Sequence, residues 1–404
     1  MFTPSPFLAL AMMSFLSSSL VYASDQKGAN FGSPDAVDNQ IAEDNKKSKS
    51  HFKTPLEKHN LNLGADYSAV YLSSNDVLPG SEDDSASGML RFYGSWNPVG
   101  IGTNNTGGLV WKVEHRHSYT DTSVKNFEFG TGSLGLITPP FSDEGTRITN
   151  LYWKQQLMDG KATVVAGFLD LTDFVDVFAM ASPWTGFMNF AFSTGTTTIA
   201  LPGDAALGVA GGMMLSDAYY LIGSFADMNS DPTKIADGID SFFNDSKYFK
   251  SVELGWTKSQ GQIYVDNMHV TLWHADESEK QGTSRGYGSN FSASRLIDGQ
   301  WLPFVRAGYS QDAGTLMEKS ISTGFGYYGL GGESNNLGLA INWGEVKGND
   351  DQYTTEIFYI MQPLDYLEVT TDVQYIANPA LNSNPLNTDE SSVLIFGLRM
   401  RVAI

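Results

Sequence analysis

From about Leu61 to Ile404 the chain alternates apolar and polar residues in segments of 8 to 12, each segment long enough to be a strand. The last segment shows the alternation best. Leu394, Phe396, Leu398, Met400, Val402 and Ile404 fall on one face, and Arg399 and Arg401 on the other. Successive strand side chains point to opposite faces, so one face is wholly apolar and the other carries cations. Residues 366–376 repeat the arrangement, with Leu367, Val369, Val373 and Tyr375 opposite Glu368, Thr370, Asp372 and Gln374. In 108–118, Lys112, Glu114 and Arg116 oppose Trp111 and Val113. An apolar face suits lipid and a charged face suits a wet lumen, where charge carries little desolvation cost.

The segments predicted as strands are 61–72, 88–96, 108–118, 146–157, 161–169, 205–215, 218–226, 250–257, 263–273, 287–296, 302–311, 321–328, 336–344, 353–361, 366–376 and 393–404. Their number is sixteen, and single-chain bacterial barrels have even numbers. Connections after even-numbered strands are brief, as at Met158-Asp159-Gly160, Ser216-Asp217, Ser259-Gln260-Gly261, Asp298-Gly299-Gln300 and Pro363-Leu364-Asp365. Those after odd-numbered strands are long: 73–87, 119–145, 170–204, 227–249 and 377–392. The expected fold is therefore an all-β, 16-stranded antiparallel transmembrane barrel with short periplasmic turns and long extracellular loops. Such a barrel is too wide for its own side chains to fill, which predicts an aqueous channel.

Ahead of the strands, Phe7 to Val21 is apolar and ends in Val21-Tyr22-Ala23, which resembles a signal-peptidase site. No Lys or Arg precedes that run, and an N-terminal anchor is the alternative, though the run is short for a bilayer span. We divide the chain into a signal peptide at 1–23, a polar lead-in at 24–60 and the barrel at 61–404. The lead-in is mixed in charge and lacks apolar periodicity. It is either a segment tucked inside the barrel or a disordered periplasmic tail. Charge excludes one function class. With 45 Asp+Glu against 25 Lys+Arg, the chain lacks the basic footprint of a nucleic-acid binder. Without cysteine there is no disulfide framework, so sheet closure or a core must stabilise it.

Several stretches resemble the carbohydrate-selective outer-membrane porins of the OprB family. They are Asp372-Val373-Gln374-Tyr375-Ile376-Ala377-Asn378-Pro379 followed by Phe396-Gly397-Leu398-Arg399-Met400-Arg401; Pro303-Phe304-Val305-Arg306-Ala307-Gly308-Tyr309-Ser310; Glu356 with Tyr359; Ala200-Leu201-Pro202 leading into Gly208; and Gly167-Phe168-Leu169-Asp170. The chain departs from the usual barrel ending, an aromatic, by finishing on Ile404. The resemblance implies passive diffusion of neutral mono- or oligosaccharides into the periplasm of a Gram-negative cell. It also implies contact with outer-membrane lipid and lipopolysaccharide. Porins are often homotrimers, and no subunit interface is legible in the sequence.

Candidate sugar-binding residues are Arg306, Arg399 and Arg401 with Glu356, Glu368, Asp372 and Gln374, on inward faces. Arg only donates and carboxylate only accepts, so an opposed set would offer both to sugar hydroxyls. The competing interpretation is a ladder of ion pairs bracing the wall. Trp184, in the long loop 170–204, could stack on a pyranose or anchor the loop to the inner wall. His115 and His117 share a face with Trp111 and suit an interfacial belt better than a metal site; Asp170, Asp173 and Asp176 lack calcium-loop spacing. Neither metal nor cofactor is expected. No nucleophile-elbow, zincin or phosphate-loop motif points to catalysis. The alternatives are a general solute porin, a barrel enzyme of the outer membrane, and a secreted β-rich sugar-binding protein.

Overall fold

The computed structural model describes residues 31–47, 54–135, 137–383 and 392–404. The candidate signal peptide lies outside them. Sixteen strands form one closed antiparallel barrel in which every strand pairs with its sequence neighbours and β1 pairs with β16. They are β1 Leu61–Ser74, β2 Asp84–Val99, β3 Gly107–Ser118, β4 Gly145–Leu157, β5 Ala162–Leu169, β6 Ala206–Met214, β7 Tyr219–Asp227 and β8 Tyr248–Thr257. The second half is β9 Asn267–Ala275, β10 Gly286–Ser294, β11 Trp301–Asp312, β12 Lys319–Tyr328, β13 Asn336–Glu345, β14 Gln352–Leu364, β15 Leu367–Ala377 and β16 Ser392–Ala403. Closure sets Val70 opposite Arg399 and Tyr71 opposite Leu398. Ile404 completes it by donating its N–H to the Ala65 carbonyl at 2.9 Å. A closed sheet leaves no edge unpaired, which is what lets β structure span lipid.

The two faces fall as the alternation predicts. Phe396, Leu398, Met400 and Val402 are exposed, whereas Arg399 and Arg401 are buried inside. Outward aromatics gather at both rims. Trp96, Trp153, Tyr219, Trp256, Trp301 and Tyr366 sit near the short turns, and Tyr71, Tyr287, Tyr309, Tyr353 and Tyr375 near the long loops. Two such girdles mark the levels where a membrane barrel meets the headgroups.

Turn chemistry is local. Met158, Asp159 and Gly160 all have positive φ in the β4–β5 turn, as do Asp298 and Gly299 in the β10–β11 turn, the conformation a two-residue hairpin turn of this hand requires. The loop alternation weakens late in the barrel, where the outer connections 313–318 and 346–351 have six residues each. One strand starts later than predicted. Residues 260–262 form a 3-10 turn, so β9 begins at Asn267, and Ile263 and Tyr264 fold inward instead. Tyr264 accepts the Gly32 N–H at 2.8 Å on its hydroxyl, a contact with the lead-in that no local pattern encodes.

Two segments occupy the lumen. One is the lead-in, whose helix α1 (Val37–Lys47) lies against β1, β2 and β3. Val37 and Ile41 are buried there with Tyr93, Val110 and Tyr152 of the wall. The other is the 170–205 connection between β5 and β6, which folds back into the barrel. Its Phe178 and Phe187 meet wall Phe304 and Phe358 at ring separations of 5.1 and 4.8 Å. The expectation that inward charges face open water is therefore corrected. Many lie beneath these inserted segments, and pairing rather than solvation offsets their burial.

Candidate functional site

The inward turn begins at Gly167, whose φ of +139° and close approach to β4 leave no room for a side chain; an added Cβ would lie 2.6 Å from the Leu151 carbonyl oxygen. Three residues on, Asp170 accepts the Thr172 N–H at 3.0 Å and starts a 3-10 turn that aims the chain into the lumen.

Arg306 on β11 holds this loop at two points, Asp176 and Ser193. Its guanidinium bonds Asp176 Oδ2 at 2.5 Å, the Asp176 carbonyl at 2.9 Å and the Ser193 carbonyl at 2.5 Å, and lies 4.3 Å over the Phe178 ring. One side chain thus ties together two loop positions seventeen residues apart in number. His269 places Nε2 3.0 Å from Asp176 Oδ1, and Glu253 accepts the Asp176 N–H at 3.2 Å. Burial disfavours the Asp176 charge, but Arg306 and then His269 outweigh it and hold the carboxyl below its ordinary range.

The stretch between those two anchor points is fixed farther round the same wall, from β14 to β16. Glu356 on β14 accepts the N–H groups of Met188 at 2.6 Å and Asn189 at 2.9 Å, and Asn189 donates to Gln374 at 3.1 Å. Arg399 donates to the Pro183 carbonyl at 2.6 Å and the Gly186 carbonyl at 3.2 Å. Trp184 stacks under Arg91, whose Cζ is 4.4 Å from the ring, and meets Phe141 edge-on. Arg401 joins Glu368 at 3.1 Å and Asp66 at 2.8 Å; Asp66 in turn binds Arg91 at 2.5 Å.

Every candidate residue thus faces inward, but the eight do not form one open ring. Arg306, Glu356, Gln374 and Arg399 are at most 1 % exposed and bind the inserted loop. Asp372 lies beside Gln374, which donates to it at 2.9 Å. Trp184 packs at the loop–wall boundary. Arg306 on β11 stands five strands from Arg399 and Arg401 on β16; it holds the loop at Asp176 and Ser193, and Arg399 holds the stretch between them. The cause is valence: guanidinium and carboxylate groups beneath a buried loop find unpaired backbone carbonyls and amides first, since leaving those unsatisfied is costly.

The candidate set leaves out the other half of the lumen, although the alternation puts Lys112, Glu114 and Arg116 on one charged face. On β2–β4, Arg91, Lys112, Arg116, Arg147 and Lys154 point inward. Facing them are carboxylates from the two inserted segments. Lys154 meets Asp38 at 2.7 Å, Lys112 meets Asp173 at 3.7 Å, and Arg116 and Arg147 meet Asp204 at 3.0 and 3.5 Å. Ser182 donates to Asp35 at 2.8 Å and Ser33 to Asp173 at 2.7 Å, so lead-in and loop are also joined to each other. Period-two reading finds Lys112 and Arg116 and extends to Arg91, Arg147 and Lys154. Nothing local marks Asp35 or Asp38 as lumen residues.

The same architecture is found in known proteins. The structure of Pseudomonas putida OprB at high pH superposes with a TM-score of 0.68 at 13 % identity, covering 88 % of this chain and 96 % of that one. Its low-pH structure gives 0.53 at 12 %, covering 89 % and 98 %. A triple mutant of Rhodopseudomonas blastica porin gives 0.53 at 12 %, covering 85 % and 100 %. These identities establish a shared fold. A search of curated proteins returned no sequence match. A family model described as carbohydrate-selective porin, OprB family, matches residues 118–268 and 263–403. With most of its barrel matched by that model, the chain belongs to the OprB family of carbohydrate-selective porins, channels of the Gram-negative outer membrane.

Proposed function

We propose that this porin passes neutral mono- and oligosaccharides by diffusion through the part of the lumen that its inserted segments leave open. The observation that carries this reading is the repeated fastening of the 170–205 loop along the β11–β16 arc of the wall, by Arg306 at one end and by Glu356, Gln374 and Arg399 farther round. A fastened loop gives the lumen a fixed bore, and a fixed bore bordered by both donors and acceptors discriminates by size and hydrogen bonding without gripping its solute. In this reading Arg306, Glu356, Gln374 and Arg399 act by placing the loop. Arg401, Glu368 and Asp372 brace the wall beside it, and Trp184 seats the loop on Arg91. The protein works as a channel without chemical change of its solute, and assembly as a homotrimer is part of the proposal.

Proteoliposome swelling tests the function directly. Glucose-sized sugars are expected to enter faster than a tetrasaccharide, in vesicles containing protein that shows heat-modifiable gel mobility. Equal swelling rates across that size range would remove the selective reading in favour of a general pore, and no swelling with folded protein would remove the channel reading.

A further inference from the structure

The charges of the β2–β4 side of the lumen are layered. Its cations lie against the wall: side-chain exposure is 0 % for Arg91, 2 % for Lys112, 9 % for Arg116, 8 % for Arg147 and 9 % for Lys154. Of the carboxylates that face them from the inserted segments, Asp173 is itself buried at 1 % exposure, and the other four keep more contact with water. Asp204 is 23 % exposed and Asp38 20 %, and Asp35 and Asp170 are partly exposed.

Register arranges these groups along the barrel axis. Arg116 pairs with Gly145 and Glu114 with Arg147 towards the outer end; Lys112 pairs with Asn150 at mid-height; Gly108 pairs with Lys154 towards the short turns. The carboxylates follow the same order through their partners. Asp204 sits at Arg116 and Arg147, Asp170 and Asp35 near Lys112, and Asp38 at Lys154. Asp35 adds a constraint of its own, because its carboxylate accepts from the Ser182 hydroxyl, in the inserted loop.

Building on the porin reading, we infer that the water-facing lining of this channel is a staircase of carboxylates supplied by the lead-in and the loop. It makes the pore cation-preferring, open to neutral and amino sugars and closed to anionic ones such as uronates and sugar phosphates. A passing solute meets carboxylate oxygens before the cations behind them. Those oxygens accept from hydroxyl or ammonium donors and repel a second carboxylate or phosphate. A carboxylate about 7 Å from the path, screened by 0.1 M salt, biases the local cation-to-anion ratio about threefold. The lead-in is thereby a selectivity element, contributing two of the four steps.

The test uses the full-length protein in planar bilayers and proteoliposomes at pH 8. The reversal potential in a KCl gradient is expected to show cation preference. Asp35→Asn and Asp170→Asn, which retain an acceptor oxygen and break no direct ion pair, should each lower the permeability ratio about threefold, and the double variant further. Asp83→Asn, on the exposed outer loop, should leave it unchanged. Swelling should be comparable for glucose and glucosamine and slow for glucuronate. An anion-selective wild type, or glucuronate entering as fast as glucosamine, overturns the inference while leaving the porin reading intact. Failure of glucose itself to enter would instead sink the porin reading. A misfolded variant is recognised by lost heat-modifiability, and the sugar series on the wild type then decides alone.

Discussion

Arg306→Met should release the inserted loop without opening the barrel. Arg306 is fully buried, and its three short bonds hold Asp176 and Ser193 together on the β11 wall. Methionine fills much of the volume but donates nothing, leaving the Asp176 carboxylate with His269 as its charged neighbour and the Ser193 carbonyl without this donor. Removing one partner of a buried ion pair costs about 3–5 kcal/mol. Set against the loop-seated state, that raises the population of the detached loop by a factor of roughly 10² to 4 × 10³, because each 1.4 kcal/mol is a factor of ten. The strand ladder contributes nothing to this difference, since the guanidinium's three bonds all go to the loop. A cysteine-free chain makes the measurement clean. Ala191, fully buried in the loop beneath the wall, can be changed to Cys as a single reporter. Maleimide should label A191C slowly and A191C/R306M faster by that factor, while single-channel conductance rises and becomes noisier. Equal labelling rates in two folded, heat-modifiable proteins would show that Arg306 is not what holds the loop.

Three further outcomes follow from the same geometry. Leu398→Arg puts a cation on the lipid face and should impair insertion by about 2–4 kcal/mol if it sits near mid-bilayer, whereas Arg399→Ala should insert normally and raise conductance by freeing the Pro183 and Gly186 carbonyls; equal assembly yields of both would reverse the faces. Cation preference should grow from pH 5 to pH 8: burial raises Asp35 to about 6, and burial with neighbouring Asp173 and Asp204 raises Asp170 to about 7, so both lose protons in that window, and reversal potentials at the two ends check it. Because both folded values exceed that of an unfolded aspartate, the stability they contribute is present below about pH 4 and is lost as pH rises through 6–7, which denaturation of the loop followed by hydrogen exchange should register. Glu356→Ala removes the acceptor of two buried loop amides and should loosen residues 188–189 by about 1–3 kcal/mol per amide left unsatisfied, seen as faster exchange there with the barrel amides unchanged.

Much of the molecule was legible in the chain because lipid imposes a local rule. Each strand must present apolar side chains outward at every second position and pair all of its backbone groups, so Phe396, Leu398, Met400 and Val402 declare their face by spacing alone. Strand number, the closed sheet and the inward direction of Arg306, Glu356 and Arg399 follow from that period. What those inward groups touch does not. Arg306 meets Asp176 across 130 residues, and Asn189 meets Gln374 across 185. The loop carrying Asp176 and Asn189 has no periodicity to announce where it packs. The lead-in was equally silent: its polar composition fits an exposed tail as well as a lumen segment, and only the juxtaposition of Asp38 with Lys154 and of Asp35 with Ser182 settles its segment around those residues inside the barrel. Alternation decides which side of a sheet a residue occupies, a one-dimensional property; whether that residue faces water or another segment depends on how the loop and the lead-in share the enclosed volume, which only the closed tertiary structure determines.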